Sequence, residues 1–302
     1  MSVLGMPTAS ETHNNGNVLQ TFENGVIYWS NATNGIEIHG GILEKWNDSS
    51  VQSIIGYPVS DEEYDVCGNA YQDFENGRIY WNNVKGSWII GEFAEKLYAN
   101  ILAGNNYLGY PASLPICGIK DNGCYQLFDN GRIYWTSTTG TASLHGGIIE
   151  KWYAEGLEWG NLGYPTTGEK YDDIVGTYQD FQGGRIYWSN EYGTITIRDF
   201  ALSLWLQSGG VSGYLGMPLD SGSCTGEDVC FQSFTMGRVY RDNAGNTVEV
   251  HGGIYERWLK NGNSYLGLPL SIEQYDASGN TYQKFENGKI YWNSSRGTWI
   301  QH

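Results

Sequence analysis

Short apolar runs, an alternating stretch and a helical spacing follow one another within each successive stretch of about fifty residues. Residues 19–22 and 26–29 are rich in aromatic and β-branched side chains and flank a short loop that ends in Gly25. Such a loop between such runs predicts a β-hairpin with a bulge. Apolar and polar residues then alternate over residues 36–39, which predicts a third strand.

A short helix is predicted to end the unit. Ile42 and Trp46 lie four residues apart, so their side chains share one helical face. The same pair recurs as Ile148 with Trp152 and as Ile254 with Trp258. Each unit therefore reads as strand, strand, strand, helix. A unit of this size cannot bury such a face alone, so neighbouring units are expected to cover it.

Two motifs recur in step along the whole chain. Leu/Ile-Gly-x-Pro returns every 51 to 54 residues, beginning at Leu4, Ile55, Leu108, Leu162, Leu215 and Leu266. Gln-x-Phe-x-x-Gly-x-Ile/Val-Tyr keeps the same period, from Gln20 in the first copy to Tyr291 in the last. We predict one domain of six repeats, at about 1–53, 54–106, 107–160, 161–213, 214–264 and 265–302.

The predicted fold class is a β-rich α+β tandem repeat. Six strand segments but five helices are expected, because the last repeat ends after its third strand. No composition shift marks a linker between the repeats. The six units are therefore expected to form either a closed, pseudo-symmetric, propeller-like ring or a curved stack.

Charge narrows the range of partners. The chain has 33 acidic and 17 basic residues, a formal net charge of −16, so neither a nucleic acid nor an anionic membrane surface is expected to bind. No apolar run approaches the roughly 18 residues that span a bilayer, so no membrane insertion is expected. Charged residues are only 17% of the chain, which leaves a surface suited to neutral polyhydroxyl ligands.

These motifs together resemble the LGFP repeat. Leu-Gly-x-Pro is followed by Phe-x-x-Gly-x-Ile-Tyr-Trp and then by Gly-x-Ile-x-x-Lys/Arg-Trp, over essentially all 302 residues. The family's phenylalanine position differs in every copy and holds Met6, Tyr57, Tyr110, Tyr164, Met217 and Leu268. The resemblance implies a secreted, non-catalytic, glycan-binding module, of the kind appended to mycolyltransferases, esterases and peptidoglycan hydrolases and thought to anchor them to wall polysaccharide such as arabinogalactan.

The resemblance also implies a location and a binding mode. We expect a monomeric, lectin-like protein, extracellular or associated with the cell wall, that binds polysaccharide at several sites and needs no cofactor. The residues from Met1 do not form a signal peptide, which leaves a cytosolic protein or a mature chain whose leader has been removed. Two alternatives stay open: a glycoside hydrolase acting on cell-wall glycan, with the acid-rich segment 61–65 as its best support, and a protein-binding scaffold or effector.

Four of the five cysteines predict two disulfides. Cys124 and Cys230 lie two residues before the repeat glutamine, and Cys117 and Cys224 precede them by seven and six residues. We predict the bonds Cys117–Cys124 and Cys224–Cys230, which imply an oxidising compartment; the alternative is four reduced thiols. Cys67 is left free or intermolecular. The spacings typical of zinc and calcium sites are absent from the sequence, so no metal site is expected.

The hairpin positions divide into core and candidate binding residues. Alternation places Gln72, Phe74, Arg78 and Tyr80 on one side and Tyr71, Asp73, Ile79 and Trp81 on the other. The Gln, Phe and Tyr of this motif never vary among the copies, so we predict that they belong to the core, with the glutamine satisfying backbone groups between strands. The side chain that follows the motif tyrosine either stacks on sugar rings or packs between repeats. This position holds Trp29, Trp81, Trp135, Trp188, Arg241 and Trp292.

Three histidines occur in alternate repeats. His39, His145 and His251 each precede Gly-Gly-Ile-x-Glu-Lys/Arg-Trp, while repeats two and four have Ile90 and Arg198. One interpretation is a triplicated ligand site in which each histidine works with Glu44, Glu150 or Glu256. The other is a strand-end histidine near a helix N-terminus beside a solvent-facing glutamate. The candidate binding residues are therefore the five tryptophans and these three histidines, and no catalytic residue is assigned.

Overall fold

Each repeat forms one four-stranded antiparallel sheet whose strands follow chain order, as seen in a computed structural model that describes residues 3–14, 16–173, 175–225, 229–261 and 265–302. In repeats one to three the strands are β1 (Thr12–Asn14), β2 (Asn17–Thr21), β3 (Gly25–Ser30), β4 (Asn34–His39), β5 (Glu63–Tyr64), β6 (Ala70–Phe74), β7 (Gly77–Asn82), β8 (Gly86–Gly91), β9 (Ile116–Cys117), β10 (Cys124–Phe128), β11 (Gly131–Thr136) and β12 (Gly140–His145). In repeats four to six they are β13 (Lys170–Asp172), β14 (Gly176–Phe181), β15 (Gly184–Ser189), β16 (Gly193–Arg198), β17 (Ser223–Thr225), β18 (Val229–Phe234), β19 (Gly237–Arg241), β20 (Thr247–His251), β21 (Gln274–Tyr275), β22 (Thr281–Phe285), β23 (Gly288–Asn293) and β24 (Gly297–Gln301).

A helix follows each of the first five sheets, which confirms the predicted position of the helix in the unit. In the described residues the helices are α1 (Gly40–Trp46), α2 (Ser49–Ile55), α3 (Glu92–Ala103), α4 (Gly146–Ala154), α5 (Asp199–Gln207) and α6 (Gly252–Asn261), with 3-10 turns at Lys120–Asn122, Leu157–Trp159 and Gly210–Ser212. Helix α2 is an addition within repeat one that the sequence prediction missed. Its signal is Asp48, whose side chain accepts a hydrogen bond from the Ser50 amide at 2.9 Å and so caps the helix.

Each sheet has four strands, one more than predicted. The extra strand is the first of each repeat and is short, as in β5, which pairs with β6 through two residues. Both residues of β5 are exposed. A strand this short and this solvated carries no hydrophobic alternation, so the sequence pattern does not reveal it.

The two faces of the hairpin differ from the prediction. Phe74 pairs with Gly77 across a two-residue turn, and Gln72 lies opposite Ile79. The prediction that Arg78 and Tyr80 share a side with Gln72 is therefore wrong, and so is the predicted bulge. Across a two-residue turn, an even-numbered residue of one strand pairs with an odd-numbered residue of the other. Alternation counted straight through the turn therefore assigns the residues of the second strand to the wrong faces. One face holds Gln72, Phe74, Ile79 and Trp81, and the other holds Tyr71, Asp73, Arg78 and Tyr80.

In repeats two, four, five and six, the Leu-Gly-x-Pro motif joins the hairpin to the preceding helix. The carbonyl of Gly56 accepts a hydrogen bond from Trp46 Nε1 at 2.9 Å, so helix α1 of repeat one is bonded to the turn of repeat two. Gly56 has φ 79°, and a Cβ there would lie 2.9 Å from the Cβ of Glu75, so only glycine fits. The same indole bond recurs as Trp152 to Gly163, Trp205 to Gly216 and Trp258 to Gly267.

The repeat glutamine covers the open edge of the preceding sheet. Gln126 is fully buried, and its Nε2 donates to the carbonyls of Ile89 at 2.8 Å and Ser113 at 3.0 Å. Its Oε1 accepts from the amide of Gly91 at 3.2 Å. Ile89 and Gly91 belong to β8, the edge strand of repeat two, so the side chain takes the place of a fifth strand.

The predicted core role of the unvarying residues is confirmed. Gln72, Gln232 and Gln283 each donate to one carbonyl of the preceding sheet and to one of their own turn. The motif phenylalanine is buried in repeats two to six, and the motif tyrosine in repeats one to five. In repeat one, Gln20 and Phe22 are only half-buried. Gln20 donates to the carbonyls of Ala9 and Thr21 of its own repeat.

The chain divides into two compact units, Met1–Gly146 and Gly147–His302. The first contains the sheets of repeats one to three, and the second contains those of repeats four to six. Each unit has its own apolar clusters, built around Trp46 and Tyr98 in the first and around Trp205 and Trp258 in the second. The single domain and the closed ring stay predictions from the sequence. Within the described part of the chain, no helix is long and apolar enough to cross a lipid bilayer.

Candidate functional site

A cleft of about 600 Å³ lies between repeats two and three of the first unit. Its walls come from the start of α3, the end of β8, strands β9 and β10, and the outer end of β11. The lining residues are Ile54, Asn76, Gly91, Glu92, Phe93, Pro115, Cys117, Cys124 and Trp135. Most of this surface is apolar, with one aromatic ring from each of two successive repeats.

The aromatic walls are held by local packing. Phe93 is the second residue of α3, and Trp135 lies near the end of β11; both side chains are half-buried. A Cβ on Gly91 would lie 2.8 Å from Cγ of Pro115 and 3.0 Å from Cε1 of Phe93. Because Gly91 has no side chain, Pro115 and Phe93 can approach each other at the end of β8.

A disulfide forms the third side of the cleft. Cys117 in β9 and Cys124 in β10 lie directly opposite each other with Cα atoms 4.1 Å apart, and they are bonded. The second predicted bond, Cys224–Cys230, joins β17 and β18 at the equivalent place, so both predicted disulfides are confirmed. Cys67 is a free, exposed thiol.

Two polar side chains lie at the rim of the cleft. Glu92 is exposed at the start of α3, and its amide donates to the carbonyl of Asn76 at 3.0 Å, which ties the helix to the hairpin turn of repeat two. Asn76, whose side chain carries an amide, is also exposed at that turn. The cleft therefore combines a tryptophan with a carboxylate and an amide, groups that accept and donate hydrogen bonds to hydroxyl groups.

The candidate tryptophans occupy two kinds of environment. Trp81 packs on the helix start of repeat one, because a Cβ on Gly41 would collide with Cδ1 of Trp81. Gly147 and Trp188 are in the same relation, and a Cβ on Gly253 would lie 3.1 Å from Cδ1 of Trp292. Trp29 is 37% exposed on the first sheet. Trp135 instead lines the cleft together with Phe93, which stands where repeats one, three and five have the second glycine of Gly-Gly.

The alternation of Gly-Gly and Phe along the chain therefore has a packing reason. Repeats two and four begin their helices with Phe93 and Phe200 at the position of that glycine. Arg241 takes the place of the tryptophan beside Phe200, with its guanidinium 5.3 Å from the ring and 3.3 Å from Cys230 Sγ. An arginine thus lies where repeat three has Trp135, and the two junctions differ in chemistry.

Two of the three histidines contact a glutamate of the following repeat. His39 Nδ1 lies 3.9 Å from Glu62 Oε2, and His251 Nε2 lies 3.8 Å from Glu273 Oε1. The rings of His145 and His251 also lie against Tyr107 and Tyr214 of their own repeats, in tilted pairs with centroids 4.5 and 4.3 Å apart. Glu44, Glu150 and Glu256 were the partners in only one of the two interpretations from the sequence, and that interpretation stays a prediction. Neither interpretation included the glutamate of the following repeat. In the described residues no group of three or more ligands fits a metal ion.

The strand register also corrects one assigned equivalence. His39 pairs with Gly25, and in repeat two Gly77 pairs with Gly91. Gly91, and not Ile90, therefore stands at the histidine position of repeat two. Arg198 stands there in repeat four, as predicted, opposite Gly184.

His251 of the second unit lies 3.8 Å from the half-buried Glu273, and the buried Glu249 stands two residues before it in β20. Glu249 is 7% exposed, and burial raises the pKa of its carboxyl group. Burial, together with the charge of Glu249, raises the pKa of Glu273. Burial lowers the pKa of His251, so desolvation favours the neutral form of all three groups. Glu249 Oε2 and His251 Nδ1 are buried without a hydrogen-bond partner.

One carboxylate stands in a helix position that is apolar elsewhere. Glu95 of α3 aligns with Leu43, Ile149, Leu202 and Tyr255 of the other post-sheet helices. Its Oε1 lies 4.0 Å from Nε of Arg78, and its side chain is 25% exposed. Burial raises the pKa of Glu95 to about 7, partly offset by the charge of Arg78.

Replacing Glu95 by leucine should stabilise the first unit at alkaline pH. Because the folded-state pKa is raised, the stability from protonating Glu95 is present below about pH 4.5 and is lost as pH rises through about 7. We expect Glu95→Leu to raise the free energy of unfolding by about 1–2 kcal/mol at pH 8 and much less at pH 4.5. Urea unfolding at both pH values measures this, with the exposed Glu44→Leu as control. Equal gains at both values would contradict it.

Comparison with known proteins identifies the repeats. The model of the LGFP repeat matches residues 4–53, 55–100, 108–160, 162–213, 215–264 and 266–302. No curated protein matches the sequence.

Solved structures give weaker likenesses. Virginiamycin B lyase from Staphylococcus aureus is 8% identical with a TM-score of 0.16, over 99% of this chain and 84% of that one. The extracellular domain of a one-component system from B. thetaiotaomicron is 11% identical with a TM-score of 0.17. The match covers 100% of this chain and 39% of that domain. PorZ, a surface component of the type-IX secretion system of Porphyromonas gingivalis, is 8% identical with a TM-score of 0.15, over 100% and 39%. Scores of this size carry no argument about fold or function.

Proposed function

Since the chain belongs to the LGFP repeat family, we propose that it is a non-catalytic repeat protein that binds neutral polysaccharide outside the cell or at the cell wall. The observation that carries the proposal is the cleft with Trp135 as its aromatic wall. A half-buried indole offers one flat apolar face, and the C–H faces of sugar rings stack on such surfaces. The two disulfides support an oxidising compartment.

The polar rim supports a sugar ligand over a purely apolar one. Glu92 and Asn76 lie on the lining of the cleft beside the apolar walls of Phe93 and Pro115. A carboxylate can accept hydrogen bonds from two neighbouring hydroxyl groups, and an amide can both donate and accept. The net charge of −16 disfavours polyanionic polymers, so the favoured ligand is a neutral glycan.

The carboxylate count supports binding without hydrolysis. Glycoside hydrolases generally place two carboxyl groups on either side of the scissile bond. Among the described residues that line the cleft, Glu92 is the only carboxylate. In the acid-rich segment 61–65, Glu62 contacts His39 and Tyr64, and Glu63 accepts from Tyr71. Glu62 and Glu63 therefore already have partners among neighbouring side chains.

Replacing Trp135 by alanine should weaken glycan binding about ten-fold, roughly 1.4 kcal/mol, because the stacking surface is lost. Affinity electrophoresis through gels containing soluble arabinogalactan or a neutral glucan measures the retardation. Trp159→Ala is the matched control, because Trp159 is 72% exposed and lies in the second unit, whereas the cleft belongs to the first. Equal retardation of the wild type and Trp135→Ala would remove the cleft from the proposal, and no retardation of the wild type would overturn it.

A further inference from the structure

An exposed tyrosine recurs at one position in alternate repeats. Glu-x-Tyr-Asp occurs four residues after the turn proline in repeats two, four and six, at residues 62–65, 169–172 and 273–276. The tyrosines are Tyr64, Tyr171 and Tyr275, and they are 69%, 72% and 77% exposed. Most other tyrosines of these repeats are buried or half-buried. Core packing does not account for a large aromatic side chain kept in solvent at three equivalent positions.

The loops that carry two of these rings are rigid and alike. Asp65 Oδ1 accepts hydrogen bonds from the amides of Cys67 at 2.8 Å and Asn69 at 2.9 Å. In repeat six, Asp276 Oδ1 accepts from the amides of Ser278 at 2.8 Å and Asn280 at 2.9 Å.

Each loop is also tied to the neighbouring hairpin strand. Asn82 donates to Asn69 at 2.7 Å, and Asn293 donates to Asn280 at 2.7 Å. Tyr64 and Tyr275 are therefore exposed rings on the same pre-ordered framework. Pre-ordering lowers the entropy cost of binding.

In repeat two, the motif glutamate contacts the tyrosine, and a histidine of the preceding repeat contacts the glutamate. Glu62 Oε1 accepts from the Tyr64 hydroxyl at 3.1 Å, and Glu62 Oε2 lies 3.9 Å from His39 Nδ1. In repeats five and six, Glu273 makes the corresponding contact with His251 at 3.8 Å. There, Glu249 Oε2 and His251 Nδ1 are buried without partners, and Glu249 is 93% buried, so the junction holds unsatisfied polar groups.

We propose that Tyr64 with Glu62 and His39, and Tyr275 with Glu273 and His251, are two corresponding binding sites for neutral polyhydroxyl ligands, one in each compact unit and both separate from the Trp135 cleft. The inference rests on the proposed function, because it assigns the same class of ligand. An exposed ring offers a stacking face, and the carboxylate and imidazole beside it bind hydroxyl groups. Repetition of the site on one chain suits a polymer of repeating sugars, since several weak sites raise the avidity.

The test uses the full chain labelled with 3-fluorotyrosine and soluble arabinogalactan as the probe. The 19F signals of Tyr64 and Tyr275 are assigned by their loss in Tyr64→Phe and Tyr275→Phe. We expect both signals to shift on titration. The double variant Tyr64→Ala/Tyr275→Ala should bind the polymer about ten-fold more weakly in affinity gels, while Val84→Ala, at a 96% exposed site, should bind as the wild type does.

Folding and binding effects are separated by unfolding midpoints, which we expect to be unchanged because both rings are exposed. If Trp135→Ala loses binding while the double alanine variant keeps it and the two 19F signals stay in place, the inference is overturned and the proposed function stands. If the wild type itself is not retarded and no signal shifts, both are overturned. Shifted signals with weakened binding of the double variant support the inference.

Discussion

Replacing Gln126 by leucine should lower the free energy of unfolding of the first unit by about 3–6 kcal/mol. The side chain makes three hydrogen bonds while fully buried, to the carbonyls of Ile89 and Ser113 and from the amide of Gly91. Leucine fills much of the same volume but pairs with none of them. Each buried backbone group left without a partner costs about 1–3 kcal/mol. The loss is therefore large although the core stays filled.

Gln20 provides a matched control for that experiment. It holds the same motif position in repeat one, is half-buried, and donates to carbonyls of its own repeat. We expect Gln20→Leu to cost about 1 kcal/mol or less, because solvent can replace its bonds. Urea unfolding followed by tryptophan fluorescence compares the two variants. Similar losses for both would show that the edge-strand bonds do not provide the stability assigned to Gln126.

Replacing Trp205 by alanine should lower the free energy of unfolding of the second unit by about 3–5 kcal/mol. Trp205 is fully buried in α5, and its ring centroid lies 5.6 Å from that of Tyr187. Its Nε1 donates to the carbonyl of Gly216 at 2.9 Å, which joins the helix of repeat four to the turn of repeat five. Alanine removes the ring, leaves a cavity and leaves that carbonyl without its indole donor.

A phenylalanine variant separates packing from hydrogen bonding. Trp205→Phe keeps most of the ring volume, so we expect a loss of about 1–2 kcal/mol from the missing bond and the smaller ring. Trp159→Ala, at a 72% exposed position, should cost less than about 0.5 kcal/mol. Thermal and urea unfolding give the ranking. A loss for Trp205→Ala no larger than that for Trp159→Ala would contradict the role of the indole as the joint between repeats.

Much of the unit could be predicted because its signals are local. Glycine and proline in Leu-Gly-x-Pro restrict the backbone directly, and the spacing of Ile42 and Trp46 reports a helical face. The pairing of Cys117 with Cys124 could be predicted because the two positions lie only seven residues apart in one variable segment. The core role of Gln72 and Phe74 followed from their constancy among six copies that share one architecture.

The candidate site was harder to predict because its members come from different repeats. Trp135 was one of five tryptophans with the same motif position. It differs from Trp81, which packs on Gly41, because it lines a cleft together with Phe93. Phe93, Pro115 and Glu92 were not singled out at all. The sequence does show that repeat two lacks the Gly-Gly pair found in repeats one, three and five. That difference could not be interpreted before the structure showed which residues lie beside this position.

By itself, the sequence determined the six repeats, their helices, the disulfides and the unvarying core, because each of these depends on the order of residues within one unit. The tertiary structure alone decided which side chains come together across a junction: Gln126 on the edge of β8, His39 with Glu62, and Trp135 with Phe93 on the lining of one cleft. Contacts between repeats depend on how strand register and helix packing bring distant segments together. The two-residue turn of the hairpin, for example, decides which face of the sheet every residue of the second strand occupies.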